Sequence, residues 1–179
     1  PKKGTLLFSN SISEVAKSSE LIIEAVPERL PAKQSVYDEI ESNAANDLII
    51  TSSTSGILPS DLQSKMSRPE RLIVAHPFNP VYLLPLVEIV GGKETSQEVI
   101  KKACNIFTHI GMFPLHIKKE IPAFIADRLL ESVWREALWL VNDNVATTEE
   151  IDDAIRYGFG LRWAQMGLFE TYRLAGGDA

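Results

Sequence analysis

The chain has 179 residues, of which 45% are hydrophobic and 23% charged, and it carries a net charge of −6. This length is enough for one full core, or for one domain and part of another. An acidic balance without a lysine or arginine run argues against a nucleic-acid or membrane-surface partner, and no apolar run approaches the roughly 20 residues of a membrane span.

Cys104 is the only cysteine, which excludes an internal disulfide and a cysteine-based metal cluster, and we expect no metal site. It lies on the apolar side of a helical pattern, where core packing is the expected role. A lone cysteine and the lack of a signal-peptide pattern predict a reducing, cytoplasmic location. The chain begins at Pro1 and ends at Ala179 without a natural start or stop, so we interpret it as the interior of a longer protein.

Short apolar runs and helical patterns largely alternate between residues 5 and 117. The predicted strands are residues 21–26, 48–51, 71–75, 84–90 and 113–117, and residues 5–8 are predicted as a short strand or an extended entry to the sheet. The predicted helices are residues 11–17, 31–45, 58–66 and 96–110. This alternation predicts the α/β class, with a mainly parallel, doubly wound sheet covered by helices. Ligands of such sheets gather at the carboxyl ends of strands, where Glu28, Ser55 and His76 fall.

The pattern becomes entirely helical after residue 119. A long amphipathic helix is predicted over residues 123–142, and a capping-box pattern from Thr147 to Glu150 starts a further helix to about residue 157. We therefore predict a first domain over residues 1–119 and the start of an all-helical domain over residues 120–179. Its apolar surface exceeds what this tail can cover, which predicts packing on further chain or on a second subunit, as in a homodimer.

A histidine stands at the end of one of the apolar runs. His76 opens the sequence His-Pro-Phe-Asn-Pro directly after this run, and Glu88 lies within the next apolar run. An imidazole at a strand end with a carboxylate nearby is typical of a general base and its orienting partner. The alternative is a structural histidine that is merely hydrogen-bonded at the strand end.

Four segments of the chain carry a combined pattern. They are residues 24–28 with Lys33, residues 52–55, residues 76–80 with Glu88, and residues 122–130. This set is similar to the L-3-hydroxyacyl-CoA dehydrogenase family. The resemblance implies that a 3-hydroxyl is oxidised with NAD, that His76 removes its proton, and that Glu88 orients the imidazole. It also implies that Ser55 binds the reacting oxygen, for which the alternative is a turn residue in a Ser/Thr-rich loop.

The resemblance also implies which residues face the cofactor. Glu28 and Lys33 match positions on the ribose and nicotinamide side of NAD, and we group Ser53 with them as cofactor-binding. The alternative is ordinary solvated charges at the start of a helix. The glycine-rich turn of the family is absent, so the Rossmann-type sheet lacks its first βαβ unit and the chain alone is expected to bind NAD poorly. The choice between NAD and NADP stays open.

The C-terminal sequence departs from the acyl-CoA enzymes. Residues 157–171 resemble the branch of the family that acts on L-carnitine and L-gulonate, and residues 123–177 are nearest to the carnitine enzymes. This resemblance implies oxidation of L-carnitine to 3-dehydrocarnitine. The alternatives are oxidation of L-gulonate or of an L-3-hydroxyacyl-CoA, and, from a different class, a catalytically silent structural protein resembling lambda-crystallin.

Carnitine carries a trimethylammonium group, which has no N–H and is recognised by aromatic faces and carboxylates. Phe78, two residues beyond His76, is a candidate aromatic face. Asp127 stands where the family usually has asparagine and is a candidate acidic contact, while Ile125 and Ala126 beside it are candidates for lining the same pocket. The alternative for the apolar members of this set is plain packing.

Overall fold

A computed structural model describes residues 4–177, so the first three and last two residues of the two predicted domains lie outside the described part. The helices are α1 (Ile12–Ser18), α2 (Leu30–Glu41), α3 (Pro59–Gln63), α4 (Gln97–His109), α5 (Ala126–Asn142), α6 (Thr148–Ala154), α7 (Gly160–Trp163) and α8 (Leu168–Gly176). The strands are β1 (Leu21–Glu24), β2 (Ile49–Ser52), β3 (Leu72–Pro77), β4 (Leu86–Gly91) and β5 (Phe113–Ile117). One compact unit extends to Ala126 and a second begins at Asp127.

The five strands form one sheet in the order β1-β2-β3-β4-β5. Neighbouring strands are parallel except β3 and β4, which are antiparallel. The predicted α/β class and mainly parallel sheet are therefore confirmed, with β4 as the exception. The reason is the short connection over residues 78–85, because a parallel pair needs a crossover of roughly a dozen residues or more.

The sheet is covered on both faces, which explains the continuous apolar runs of its strands. Alternate residues of β3 point into different cores: Leu72 and Val74 pack into one hydrophobic cluster, and Ile73 and Ala75 into the other. Helix α4 covers the second cluster, where Ser96 caps it by accepting a hydrogen bond from the Val99 N–H at 3.2 Å.

The predicted long helix begins at Ala126, not at residue 123. Ala123 and Phe124 have φ of 60° and 50°, in the left-handed region, so the backbone cannot continue a right-handed helix through them. Of the two forms predicted for residues 5–8, a short strand or an extended entry, the strand is wrong, since this segment is irregular and exposed. The helix predicted to residue 157 ends as α6 at Ala154 and continues as a π-helical turn over Ile155–Phe159.

The second unit consists of helices, as predicted. The capping box is confirmed: Thr147 Oγ1 accepts from the Glu150 N–H at 3.2 Å, and Glu150 Oε2 accepts from the Thr147 N–H at 2.8 Å. Large apolar side chains of α5 are exposed, including Leu129, Leu130 and Trp134. None of the helices in the described part is long and apolar enough to cross a membrane.

Candidate active site

His76 and Glu88 form a buried pair across two strands. They lie directly opposite each other in the antiparallel register of β3 and β4, so both side chains project from the same face of the sheet. His76 Nδ1 is 3.0 Å from Glu88 Oε2, with the two residues 6% and 0% exposed. The carboxylate therefore binds Nδ1–H and leaves the lone pair of the neutral imidazole on Nε2.

The second carboxylate oxygen of Glu88 accepts two backbone hydrogen bonds. The N–H groups of Ile125 and Ala126 each lie 2.9 Å from Oε1. Burial opposes ionisation of Glu88, but the hydrogen bonds from His76, Ala126 and Ile125 outweigh it and hold the pKa of Glu88 below its usual value. Glu88 is thus an ionised group that can stabilise a protonated imidazole.

The lowered pKa of Glu88 predicts a pH-dependent contribution to stability. The contribution is present above the pKa of an unfolded glutamate, about 4.3, and is lost as the pH falls through the lower folded-state pKa. The difference in unfolding free energy between wild type and Glu88→Gln should therefore shrink below about pH 4.3. Denaturant unfolding of both proteins across this range measures it, and a difference that stays constant would contradict the assignment.

Ser55 and Ser53 lie in the loop that leaves the carboxyl end of β2. Because β2 and β3 are neighbouring parallel strands, this loop is at the same edge of the sheet as His76. Ser55 is exposed, whereas Ser53 is half-buried and donates from Oγ to the Glu24 carbonyl at 3.1 Å. Both hydroxyls keep acceptor lone pairs for a ligand.

Glu28 and Lys33 are also brought together. Lys33 Nζ is 3.3 Å from Glu28 Oε2, and Glu28 Oε1 accepts hydrogen bonds from Thr54 Oγ1 and from the Gly56 N–H. Burial works against ionisation of Glu28, but the contacts of Thr54, Lys33 and Gly56 prevail and lower its pKa. The Glu28 side chain is 47% exposed, so an ionised carboxylate is presented at this edge of the sheet.

Lys33 itself is 1% exposed, so the alternative of an ordinary solvated charge is wrong for this residue. Its ammonium also donates to Glu24 Oε1 at 2.9 Å and to the Val26 carbonyl at 3.2 Å. These contacts and Glu28 account for the three N–H donors of a lysine. The Lys33 ammonium thus lies between the carboxylates of Glu24 and Glu28, and its predicted contact with NAD stays a prediction.

Glu24 is the centre of a buried polar cluster that the sequence analysis missed. Its Oε2 accepts from the Tyr37 hydroxyl at 2.6 Å and from Ser52 Oγ at 2.7 Å, while Oε1 accepts from Lys33 and from the Val26 N–H. Burial and the Glu24 hydrogen bond raise the pKa of Tyr37 far above its usual range. The available signal was a carboxylate closing an apolar strand, with Lys33 and Tyr37 on one face of α2.

The remaining predicted residues flank the His76 and Glu88 pair or lie in the second unit. Phe78 follows β3 directly, is half-buried, and donates its N–H to the Leu86 carbonyl at 3.1 Å. Ile125 is 39% exposed and Ala126 is half-buried. Asp127 opens the second unit in the first turn of α5, and its predicted substrate contact stays a prediction.

Phe124 is a further neighbour of His76 that sequence reasoning missed. Its ring is fully buried, and its centroid lies 5.4 Å from that of the imidazole with the planes tilted by 50°. In contrast, no group of three or more His, Cys, Asp or Glu side chains among residues 4–177 is placed to hold a metal ion.

Sequence comparisons identify the protein family of this chain. Residues 3–121 match the model for the NAD binding domain of 3-hydroxyacyl-CoA dehydrogenase, and residues 124–179 match its C-terminal domain. The chain belongs to the 3-hydroxyacyl-CoA dehydrogenase family. Its cofactor is therefore NAD, and the family match agrees with the resemblance inferred from the four segments.

Curated relatives in this family are similar over nearly the whole chain. An L-carnitine dehydrogenase of Mesorhizobium japonicum is 58% identical over 180 residues, which cover 100% of this chain and 50% of the relative. One from a Pseudomonas species is 60% identical over 174 residues, or 97% of this chain and 54% of the relative. The chain thus spans about half the length of these relatives.

Solved 3-hydroxyacyl-CoA dehydrogenase structures share the fold. An (S)-3-hydroxybutyryl-CoA dehydrogenase from Ralstonia eutropha has a TM-score of 0.77 at 30% identity, over 83% of this chain and 52% of its own. A still more similar structure is an NAD-dependent dehydrogenase of a methylpyridine carboxylic acid, with a TM-score of 0.92 at 32% identity over 96% of this chain and 56% of its own.

Proposed function

We propose that this chain carries the catalytic base of an NAD-dependent enzyme that oxidises the 3-hydroxyl of L-carnitine to 3-dehydrocarnitine. The observation that carries the reaction type is the buried pair of His76 Nδ1 and Glu88 Oε2 at 3.0 Å. The substrate is inferred from the names of relatives at 58% and 60% identity. Membership of the 3-hydroxyacyl-CoA dehydrogenase family supports both steps.

In this proposal, His76 Nε2 takes the proton of the substrate hydroxyl. The C3–H and O–H bonds break, the C3=O bond forms, and the proton ends on His76. When bound, NAD supplies the acceptor for the hydride that leaves C3. Glu88 orients the ring through Nδ1 and stabilises the imidazolium, and Ser55 binds the reacting oxygen.

The carboxyl ends of β1 and β2 carry polar groups that can bind the ribose of NAD. The exposed, ionised carboxylate of Glu28 can accept hydrogen bonds from ribose hydroxyls, and Ser53 adds a hydroxyl beside it. We propose that Lys33 acts indirectly, by holding Glu28. Glu28 and Ser53 follow the carboxyl ends of β1 and β2, where ligands of open α/β sheets bind.

The substrate assignment is tested by one screen on the complete protein. Production of NADH is measured with L-carnitine, L-gulonate and 3-hydroxybutyryl-CoA under the same conditions. We expect the highest kcat/KM with L-carnitine. Faster oxidation of 3-hydroxybutyryl-CoA would assign the chain to the acyl-CoA enzymes, and no turnover of any of the three would favour the structural alternative.

Phe78 provides a sharper test of how carnitine is recognised. An aromatic face contributes about 0.5–2 kcal/mol to binding a quaternary ammonium, so Phe78→Leu should raise the KM for L-carnitine roughly 2- to 30-fold. Phe78→Tyr keeps the aromatic face and should leave this KM near that of wild type. The KM for NAD is the internal control. Equal KM values for carnitine in the two variants would contradict a cation–π contact.

We further propose that the complete protein is a cytoplasmic homodimer joined through its helical unit. The lone cysteine supports a reducing compartment, and the exposed apolar side chains of α5 support association. Neither nucleic acid nor a membrane is expected as a partner. The mass of the complete protein by sedimentation tests the dimer.

A further inference from the structure

A short turn between β5 and α5 reaches the His76 and Glu88 pair. The Phe124 N–H donates to the Ile121 carbonyl at 3.3 Å, and the two residues Ala123 and Phe124 are in the left-handed region. Residues other than glycine disfavour the left-handed region. Two consecutive residues keep this conformation only where surrounding contacts impose it. The contacts of this turn therefore show which groups stabilise its conformation.

The turn contacts the pair in two ways. Its backbone aims the next two N–H groups, of Ile125 and Ala126, at Glu88 Oε1, each at 2.9 Å. The ring of Phe124 is fully buried and lies beside the imidazole of His76, at a centroid distance of 5.4 Å. A right-handed backbone at this point could not present both groups in the same directions.

The two contacts restrain the imidazole in different ways. The hydrogen bond from Nδ1 to Glu88 limits rotation about the Cβ–Cγ bond of His76, but a hydrogen bond tolerates roughly 30° of misalignment. A tilted aromatic neighbour within about 4.5–7 Å restricts such rotation, because it occupies the space the ring would sweep. Phe124 thus fixes the plane in which Nε2 presents its lone pair.

We propose that the left-handed turn at Ala123 and Phe124 is the positioning element of the catalytic pair, with Phe124 as a positioning residue that fixes the ring plane of His76. This inference rests on the proposed function, in which His76 Nε2 accepts the substrate proton. Phe124 does not touch the reacting atoms. Its effect is on the geometry of proton transfer, which is sensitive to small displacements.

The test compares Phe124→Leu with Phe107→Leu in the complete protein. Phe107, in α4, is 4% exposed and packs in the other core cluster, so both changes remove a buried ring but only one ring borders His76. We expect kcat for L-carnitine to fall roughly tenfold in Phe124→Leu. The KM for L-carnitine and the KM for NAD should each stay within about twofold of wild type. Phe107→Leu should lower the melting temperature and leave kcat unchanged.

A second readout does not depend on turnover. The Nδ1–H proton of His76 is observed by ¹H–¹⁵N NMR and assigned by its loss in His76→Gln. Its exchange with water should accelerate in Phe124→Leu and stay as in wild type in Phe107→Leu. If Phe124→Leu does not fold, Phe124→Met fills the same space with an unbranched apolar chain and takes its place.

The outcomes separate this inference from the proposed function. Equal kcat and equal Nδ1–H exchange in the two leucine variants would overturn the positioning role. If wild type oxidises none of the three substrates, the proposed function fails, while the NMR comparison still decides whether Phe124 holds the ring.

Discussion

Replacing His76 with glutamine in the complete protein is expected to lower kcat for L-carnitine by about 10²–10⁴-fold, the contribution typical of a general base. Glutamine offers an amide N–H to Glu88, so the fully buried carboxylate keeps a donor while the proton acceptor is removed. The loss should therefore appear in kcat and not in the folded fraction. Stopped-flow or steady-state production of NADH measures it.

His116→Gln is the matched control, because His116 is an exposed histidine on β5. His116→Gln should leave kcat, the KM for L-carnitine and the KM for NAD unchanged. The affinity of His76→Gln for NAD, measured by the quenching of protein fluorescence, should match that of wild type. A reduction in kcat of less than tenfold for His76→Gln, with binding intact, would remove His76 from the role of base.

Replacing Glu24 with alanine is expected to cost about 3–5 kcal/mol in unfolding free energy, as for other broken buried ion pairs. Glu24 and Lys33 are 3% and 1% exposed, so the ammonium would stay buried with its nearest carboxylate gone. Tyr37 and Ser52 would lose their common acceptor as well. Urea unfolding of the complete protein measures the change.

Glu98→Ala is the control for burial. Glu98 also pairs with a lysine, Lys102, at 2.9 Å, but the two side chains are 75% and 52% exposed. The same bond length at the surface contributes little, so the unfolding curve of Glu98→Ala should overlay that of wild type. If Glu24→Ala were no less stable than Glu98→Ala, the buried cluster would not be the support of this edge of the sheet.

The central strands and the edge at which they end could be predicted because β2, β3 and β4 are buried on both faces. Residues 72–75 alternate between two cores and so form an unbroken apolar run, whose end marked His76. The antiparallel pairing of β3 and β4 was missed, although the short segment 78–85 carried the signal. That pairing is what sets Glu88 opposite His76.

The left-handed turn and the burial of Lys33 could not be predicted in the same way. Ala123 has no side-chain preference for positive φ, so only the tertiary contacts of Phe124 and Glu88 reveal the turn. The charge of Lys33 favours an exposed position, and the cluster around Glu24 that offsets its burial assembles from three elements. Local sequence does not encode such distant compensation.

The hairpin of β3 and β4 also bears on how the substrate specificity of the proposed enzyme could be changed. The geometry of proton transfer depends on a backbone register, since a slip of one residue would turn Glu88 to the opposite face of the sheet. Most of the connecting segment 78–85 is exposed and lies beyond the paired residues; Phe78, at its start, adds only its backbone N–H to the ladder, by donating to the Leu86 carbonyl. Substitutions in this segment can therefore alter recognition while the reaction is inherited intact, which makes the hairpin a natural starting point for redesigning specificity.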